Sequence, residues 1–206
     1  VKLGIVPVAG AGKRWGGYPK FLLPCGEKEW FLDRAARQMP CDRVVIVAGS
    51  ETLSFITEHI HRSRLHNVTV VTQKNDWDIY GAIHEALQFE ADYYYLSMPD
   101  TYLNPKVFKK MDGFSLGAFW TDKPERFGII RNNKVFDKQP GLPGWAWGCV
   151  GFHAPVRDLW LSKGEMNFPT AINSAIEKFG LNMIEMPFYY DMAEWKDYVQ
   201  FIRETA

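Results

Sequence analysis

The stretch Lys2-Leu3-Gly4-Ile5-Val6-Pro7-Val8, running into Ala9-Gly10-Ala11-Gly12-Lys13-Arg14-Trp15-Gly16-Gly17-Tyr18-Pro19-Lys20, decides the fold class. The first part is a short, nearly continuous apolar run, the pattern of a strand buried on both faces. The second is a glycine-rich loop, whose small residues let the backbone approach a ligand and aim its N–H groups at an anion. Arg43–Ala48, Val68–Thr72 and Tyr93–Ser97 repeat the strand pattern. Helix-like stretches near Trp30–Met39, Thr52–Arg62 and Tyr80–Phe89 separate them, so strand and helix alternate as in βαβ units.

The second half changes character. Leu116–Thr121, Gly128–Arg131, Lys134–Phe136 and Trp145–Phe152 read as closely spaced strands, two of them joined by the turn pair Asn132-Asn133. Helical patterns return near Pro155–Ser162, Pro169–Phe179 and Glu194–Arg203. The expected architecture is an α/β three-layer sandwich, with a mostly parallel central sheet and an antiparallel addition, formed as one domain over 1–206. Such sheets bind ligands at the carboxyl ends of their strands, which points to the loops after Val8, Thr72 and Ser97.

Composition narrows the function classes. The 206 residues are 47% hydrophobic and 23% charged, enough to build a core, and 24 basic side chains balance 24 acidic ones. That balance argues against nucleic acid or an anionic lipid surface as partner. No apolar run approaches the ~20 residues of a bilayer span. Cys25, Cys41 and Cys149 are odd in number and lack CxxC spacing. The expectation is a cytoplasmic protein without membrane attachment; a homo-oligomer is left open.

Two standard phosphate loops fail against the glycine-rich segment. A Walker A loop needs Gly-Lys-Ser/Thr, and Gly12-Lys13 is followed by Arg14. A dinucleotide fingerprint needs a third glycine where Trp15 stands. What the loop adds is cations: Lys13, Arg14 and Lys20, suited to a triphosphate that sheds pyrophosphate. Against this stands a solvated turn with surface lysines. Asp100, after the fourth strand, could hold Mg²⁺ against phosphate oxygens or be a turn acid or cap ahead of Pro105. Asp191 could be its partner or a helix-start acid.

Four segments in order resemble the sugar nucleotidylyltransferases, of the GT-A-like nucleotide-diphospho-sugar transferase fold. The opening A-G-x-G-x-R…P-K is matched by Ala9, Gly10, Gly12, Arg14, Pro19 and Lys20. Pro99-Asp100-Thr101 looks like the nucleotide-metal segment. Asp137-Lys138-Gln139-Pro140, preceded by Pro124-Glu125-Arg126-Phe127-Gly128, looks like the central E/D-K-P element. Asp191 through Tyr198 looks like the closing motif. The departures are Lys13 for the commoner Thr or Ser, and Gln139 between Lys138 and Pro140.

The resemblance implies a Mg²⁺-dependent transfer of a nucleoside monophosphate, from dTTP or UTP, to a sugar 1-phosphate. Ala9, Gly10, Gly12 and Lys13 would line the nucleotide, and Arg14 and Lys20 would stabilise departing pyrophosphate. Asp100 and Asp191 would hold the metal, and Lys138 would grip the sugar phosphate, with Asp137 and Gly128 near the sugar. Gln73 suits the base reader. Gly81 lies farther along than the usual base-side glycine, and Asp78 falls nearer that place. The alternatives are a cytidylyl- or guanylyltransferase on another phosphorylated metabolite, a GT-A glycosyltransferase (disfavoured because Asp100-Thr101-Tyr102 lacks Asp-x-Asp), and an inactive sugar-nucleotide sensor.

Other residues carry less. His59 and His61, two apart on a helix, share no face and read as solvated. Trp145-Ala146-Trp147 reads as core packing more than as a sugar platform, and Tyr93-Tyr94-Tyr95 as sheet packing. Ser97 lacks a Gly-x-Ser-x-Gly context.

Overall fold

The computed structural model describes residues 1–9, 15–63, 65–75, 77–138 and 140–205. Gly10, Gly12, Lys13, Arg14 and Gln139 therefore lie outside the described residues. The strands are β1 (Lys2–Val8), β2 (Pro24–Gly26), β3 (Glu29–Trp30), β4 (Arg43–Ala48), β5 (Val68–Thr72), β6 (Tyr93–Ser97), β7 (Thr101–Leu103), β8 (Ser115–Thr121), β9 (Ile129–Arg131), β10 (Lys134–Phe136), β11 (Gly144–His153), β12 (Asn182–Glu185) and β13 (Tyr189–Asp191). The helices are α1 (Phe31–Arg37), α2 (Leu53–Ser63), α3 (Asp78–Ala86), α4 (Ala154–Lys163), α5 (Phe168–Phe179) and α6 (Trp195–Thr205).

Nine strands form one sheet in the order β10-β9-β11-β6-β1-β4-β5, with β8 along β11 and β12 beside β8. β1 lies between β4 and β6, parallel to both. This central position explains its apolar run, since alternate residues feed two cores. Leu3 and Ile5 join Val45, Val47, Tyr94 and Leu96 under α3, α4 and α5. Val6 and Val8 join Ile46, Ala48 and Tyr95 against α1 and α2. Helices on both faces of a sheet make the three layers expected from the sequence. Trp160 of α4 is fully buried in the first core, where its Nε1–H donates to the Ala171 carbonyl at 2.8 Å.

The antiparallel addition begins at β11, which pairs β6 with Cys149 opposite Ser97. β9 and β10 form the expected hairpin, with Asn132 and Asn133 at φ 50 and 54, the left-handed pair a tight two-residue turn requires. Between Trp147 and Cys149 the register of β11 against β8 shifts, a bulge at Gly148.

Several short elements escape a sequence reading: the β2–β3 hairpin, β12, and the two-stranded ribbon of β7 and β13. A third, smaller cluster of Leu23, Phe31, Met192 and Phe201 holds α6 to this ribbon's side of the molecule. Among the described residues no helix is long and apolar enough to cross a membrane.

Candidate active site

A cavity of about 390 Å³ opens where β1, β5 and β6 end. Each strand's exit supplies part of its wall: Val8 and Ala9 after β1, Gln73 after β5, Pro99 and Asp100 after β6. This is the carboxyl-end crevice of an open α/β sheet, with a volume in the range of small-molecule sites. Asp78, Ile79 and Ala82 of α3 close one side, and Lys20 and Phe21 another. Lys20 starts a 3₁₀ turn, Lys20–Leu22, anchored by the buried Phe21. Its ammonium is ion-paired with Asp100 Oδ2.

The β7–β13 ribbon brings Asp191 to Asp100. Asp191 pairs with Thr101, the residue after Asp100, and the Met192 N–H donates to the Asp100 carbonyl at 3.1 Å. Burial, and next the nearby charge of Asp100, push the Asp191 carboxyl up to about 6, against the opposing pull of Lys20 and Arg126. Asp191 is therefore not a helix-start acid. That task at α6 falls to Asp197, whose Oδ2 accepts the Glu194 N–H at 2.8 Å. Nor does Asp100 cap the turn ahead of it, because Asn104 accepts the Lys106 N–H there. Asp100 lines the cavity with Lys20, and Asp191 stands behind it outside the lining; two neighbouring carboxylates beside one ammonium are a donor set that suits Mg²⁺. That ion takes one or two carboxylates and completes its shell with phosphate and water. Among the described residues no group of three or more His, Cys, Asp or Glu offers an all-protein cage.

At the opposite wall, the Gln73 amide Nε2–H donates to the carbonyls of Asn75 (2.6 Å) and Asp78 (3.2 Å), leaving Oε1 buried without a partner among the described residues. Gly81, expected near the nucleotide, is not among the described residues that line the cavity. Asp78, Ile79 and Ala82 take that helix face. Gly81 instead makes room for the Gln73 head group: a Cβ there would stand 2.1 Å from Asn75 Oδ1 and 2.6 Å from Gln73 Nε2. Asp78 has φ 52, a left-handed backbone, at the position where the resemblance expects glycine.

Gly128, Asp137 and Lys138, which the resemblance assigns to the sugar phosphate, lie outside this cavity. The Trp147 N–H donates to the Gly128 carbonyl at 3.2 Å. A Cβ on Gly128 would meet Trp147 Nε1 at 2.3 Å, and that indole nitrogen is itself buried without a partner among the described residues. Asp137 and Lys138 follow Phe136, which pairs with Ile129, so register sets them level with Gly128 at the sheet edge. Both are exposed, neither lines the cavity, and the Lys138 N–H donates to Asp137 Oδ1 at 2.8 Å. Arg14, Gly10, Gly12 and Lys13 fall outside the described residues.

Arg126 and Trp15 had no sequence signal beyond their motif neighbours, whereas Asp197 is itself an acid of the closing segment. Arg126 donates to both Asp191 and Asp197, which hold its guanidinium firmly protonated. Asp197 is pushed up by burial, but these hydrogen bonds and the Arg126 charge outweigh it and leave it low. Trp15 donates its indole N–H to the carbonyls of Met192 and Ala193, both at 3.1 Å, tying the exit of the glycine-rich loop to the turn that follows Asp191. The reading of His59 as solvated is also corrected: its Nε2 meets Asp33 Oδ1 at 2.8 Å in a largely buried pair between α1 and α2.

No protein-family model matches the chain, and no curated protein does. Solved structures match over nearly the whole length. A Bacillus anthracis protein assigned as a glucose-1-phosphate thymidylyltransferase, solved with sucrose, superposes with a TM-score of 0.84 at 18% identity, covering 99% of this chain and 95% of that one. UDP-glucose pyrophosphorylase from Acinetobacter baumannii gives 0.79 at 14%, covering 99% and 93%. CTP:phosphocholine cytidylyltransferase from Streptococcus pneumoniae gives 0.76 at 13%, covering 100% and 99%. The chain has the sugar nucleotidylyltransferase fold. At these identities the likeness defines the fold, and the chemistry rests on the site.

Proposed function

We propose that the protein is a Mg²⁺-dependent nucleotidyltransferase that moves a nucleoside monophosphate from UTP or dTTP to a sugar 1-phosphate, releasing pyrophosphate. The observation that carries this reading is the β7–β13 pairing, which sets Asp191 opposite Thr101, next to Asp100 in the cavity wall. Mg²⁺ on these carboxylates would neutralise charge at the α-phosphate and orient it.

The remaining work falls to positioning and charge. A sugar-phosphate oxygen is already anionic at neutral pH, so no general base is needed for in-line attack on the α-phosphorus. The protein must bring two mutually repelling anions together and stabilise the negative charge that collects on the leaving pyrophosphate. Lys20, freed from Asp100, and Arg14 would serve the leaving side. Lys138 would meet the acceptor phosphate, and Gln73 and the α3 face would receive the base.

A second reading, a cytidylyltransferase on another phosphorylated metabolite, draws support from Asp78, a carboxylate where the resemblance expects a base-side glycine. Pyrophosphate release over a grid of nucleoside triphosphates and phosphorylated acceptors with Mg²⁺ tests both. Release that needs UTP or dTTP together with a sugar 1-phosphate is the expected result. Dependence on CTP with another acceptor favours the second reading. No release from any pair, with nucleotide still bound, leaves a sensor.

A further inference from the structure

Arg126 ends a 3₁₀ turn, Pro124–Arg126, two residues before Gly128. Its Nη1 donates to Asp197 Oδ1 at 3.0 Å and its Nη2 to Asp197 Oδ2 at 2.9 Å, a planar two-bond fork. The same Nη2 donates to Asp191 Oδ2 at 3.0 Å. Asp197 is fixed in turn, since its Oδ2 also accepts the Glu194 N–H and so belongs to the α6 start. The three side chains are largely buried, with exposures of 22% for Arg126, 19% for Asp191 and 13% for Asp197. Asp191 Oδ1 accepts nothing from the described residues. One oxygen of Asp191 is clamped and the other is left for a ligand.

Resting on the reading of Asp100 and Asp191 as metal ligands, we infer that Arg126 is a positioning residue, which fixes the rotamer of Asp191 and so preorganises the divalent site. Its charge and its geometry act in opposite directions. A cation beside a metal carboxylate repels the incoming ion, so through charge alone its loss tightens metal binding. Through geometry its loss frees Asp191 to rotate, and partners behind a metal ligand are typically worth roughly 10- to 100-fold in affinity. The fork to Asp197 favours geometry, because a guanidinium held at two points cannot follow a wandering carboxylate. Lysine keeps the charge and loses the fork.

The test is a Mn²⁺ titration of the full chain, followed by the electron paramagnetic resonance signal of free Mn²⁺, for wild type, Arg126→Met, Arg126→Lys and Asp191→Asn. Circular dichroism checks each fold, and Arg126→Lys serves if the methionine variant does not fold. Both Arg126 variants are expected to bind Mn²⁺ about 10-fold or more weakly, and Asp191→Asn more weakly than wild type. If Asp191→Asn weakens binding while the Arg126 variants match or exceed wild type, the positioning role is overturned and the metal reading survives. If Asp191→Asn binds as wild type does, whether both bind or neither, the metal reading itself falls and the positioning role with it.

Discussion

The parallel half of the sheet and the β7–β13 ribbon are built on opposite principles, and the site lies where they meet. β1, β4 and β6 are runs of five to seven residues shielded on both faces. Their stability is set by apolar burial, at about 25 cal/mol per Å² removed from water. The ribbon has three residues per strand, partly buried. It is held by the aromatic edges of Tyr102, Tyr190 and Phe201, by the Trp15 indole, and by the Arg126–Asp197 fork. The first region provides a rigid rim, and the second delivers one carboxylate to it. A fold can thus be robust where it is uninformative about chemistry, and slight where the proposed chemistry would lie.

The contrast can be broken most sharply at the seam. Asp100→Asn and Lys20→Ala are each expected to lower turnover by at least about 100-fold, the order of losing a charge-stabilising group. Both should still fold, as circular dichroism would show. Pyrophosphate release on the same preparations checks the turnover, and near-normal turnover in either variant defeats the role assigned to that residue.

Trp160→Ala probes the other principle. It opens a cavity in the core and removes a hydrogen bond, with an expected loss of about 3–5 kcal/mol in urea unfolding. The ribbon should keep its geometry as long as the protein is folded, so the metal affinity of the folded fraction should not move.

The smallest effect has the opposite sign. Because burial and Asp100 raise the folded-state value of Asp191 to about 6, ionising it costs stability. Below the ordinary carboxylate range Asp191 is protonated in folded and unfolded chains alike, and no cost arises. The penalty grows as pH rises from that range through 6 and is complete above it. Asp191→Asn should therefore be more stable than wild type at pH 7.5, by about 1–3 kcal/mol, with the advantage vanishing by about pH 4. A variant equally stable at both pH values would mean that the carboxylate carries no such burden. The activity of the same variant should be lost, so this position would trade stability for function.

What could be read from the sequence divides along the same line. The central strands were legible because short, nearly continuous apolar runs leave few other fates, and Asn132-Asn133 because few residues accept a left-handed backbone twice. Asp100 was legible as a strand-end acid. Asp191 was not separable from a helix-start acid: Tyr189 and Tyr190 are too short a run to register as a strand, and the capping acid, Asp197, lies six residues on. Arg126 and Trp15 sit inside recognisable segments, but their partners are 65 to 178 positions away, and no local periodicity encodes such a pairing. Gly81 is offered by the resemblance, although it lies farther along than the usual base-side glycine. Its use is steric, as the gap into which the Gln73 amide fits. His59 looked solvated because a helix gives no hint that Asp33 faces it from a neighbouring one.

The bulge at Gly148 has a consequence for how β11 serves both regions. Ala146 and Cys149 face the same core although they stand three positions apart, where plain alternation would put them on opposite faces, so the inserted residue reverses the parity of the strand midway. The segment before it, with Trp147 against Gly128, is out of phase with the segment after it, where Val150 and Phe152 are sealed under the helices. Deleting Gly148 would turn one segment inside out. Keeping it lets a single strand end as masonry and begin as the packing partner of Gly128.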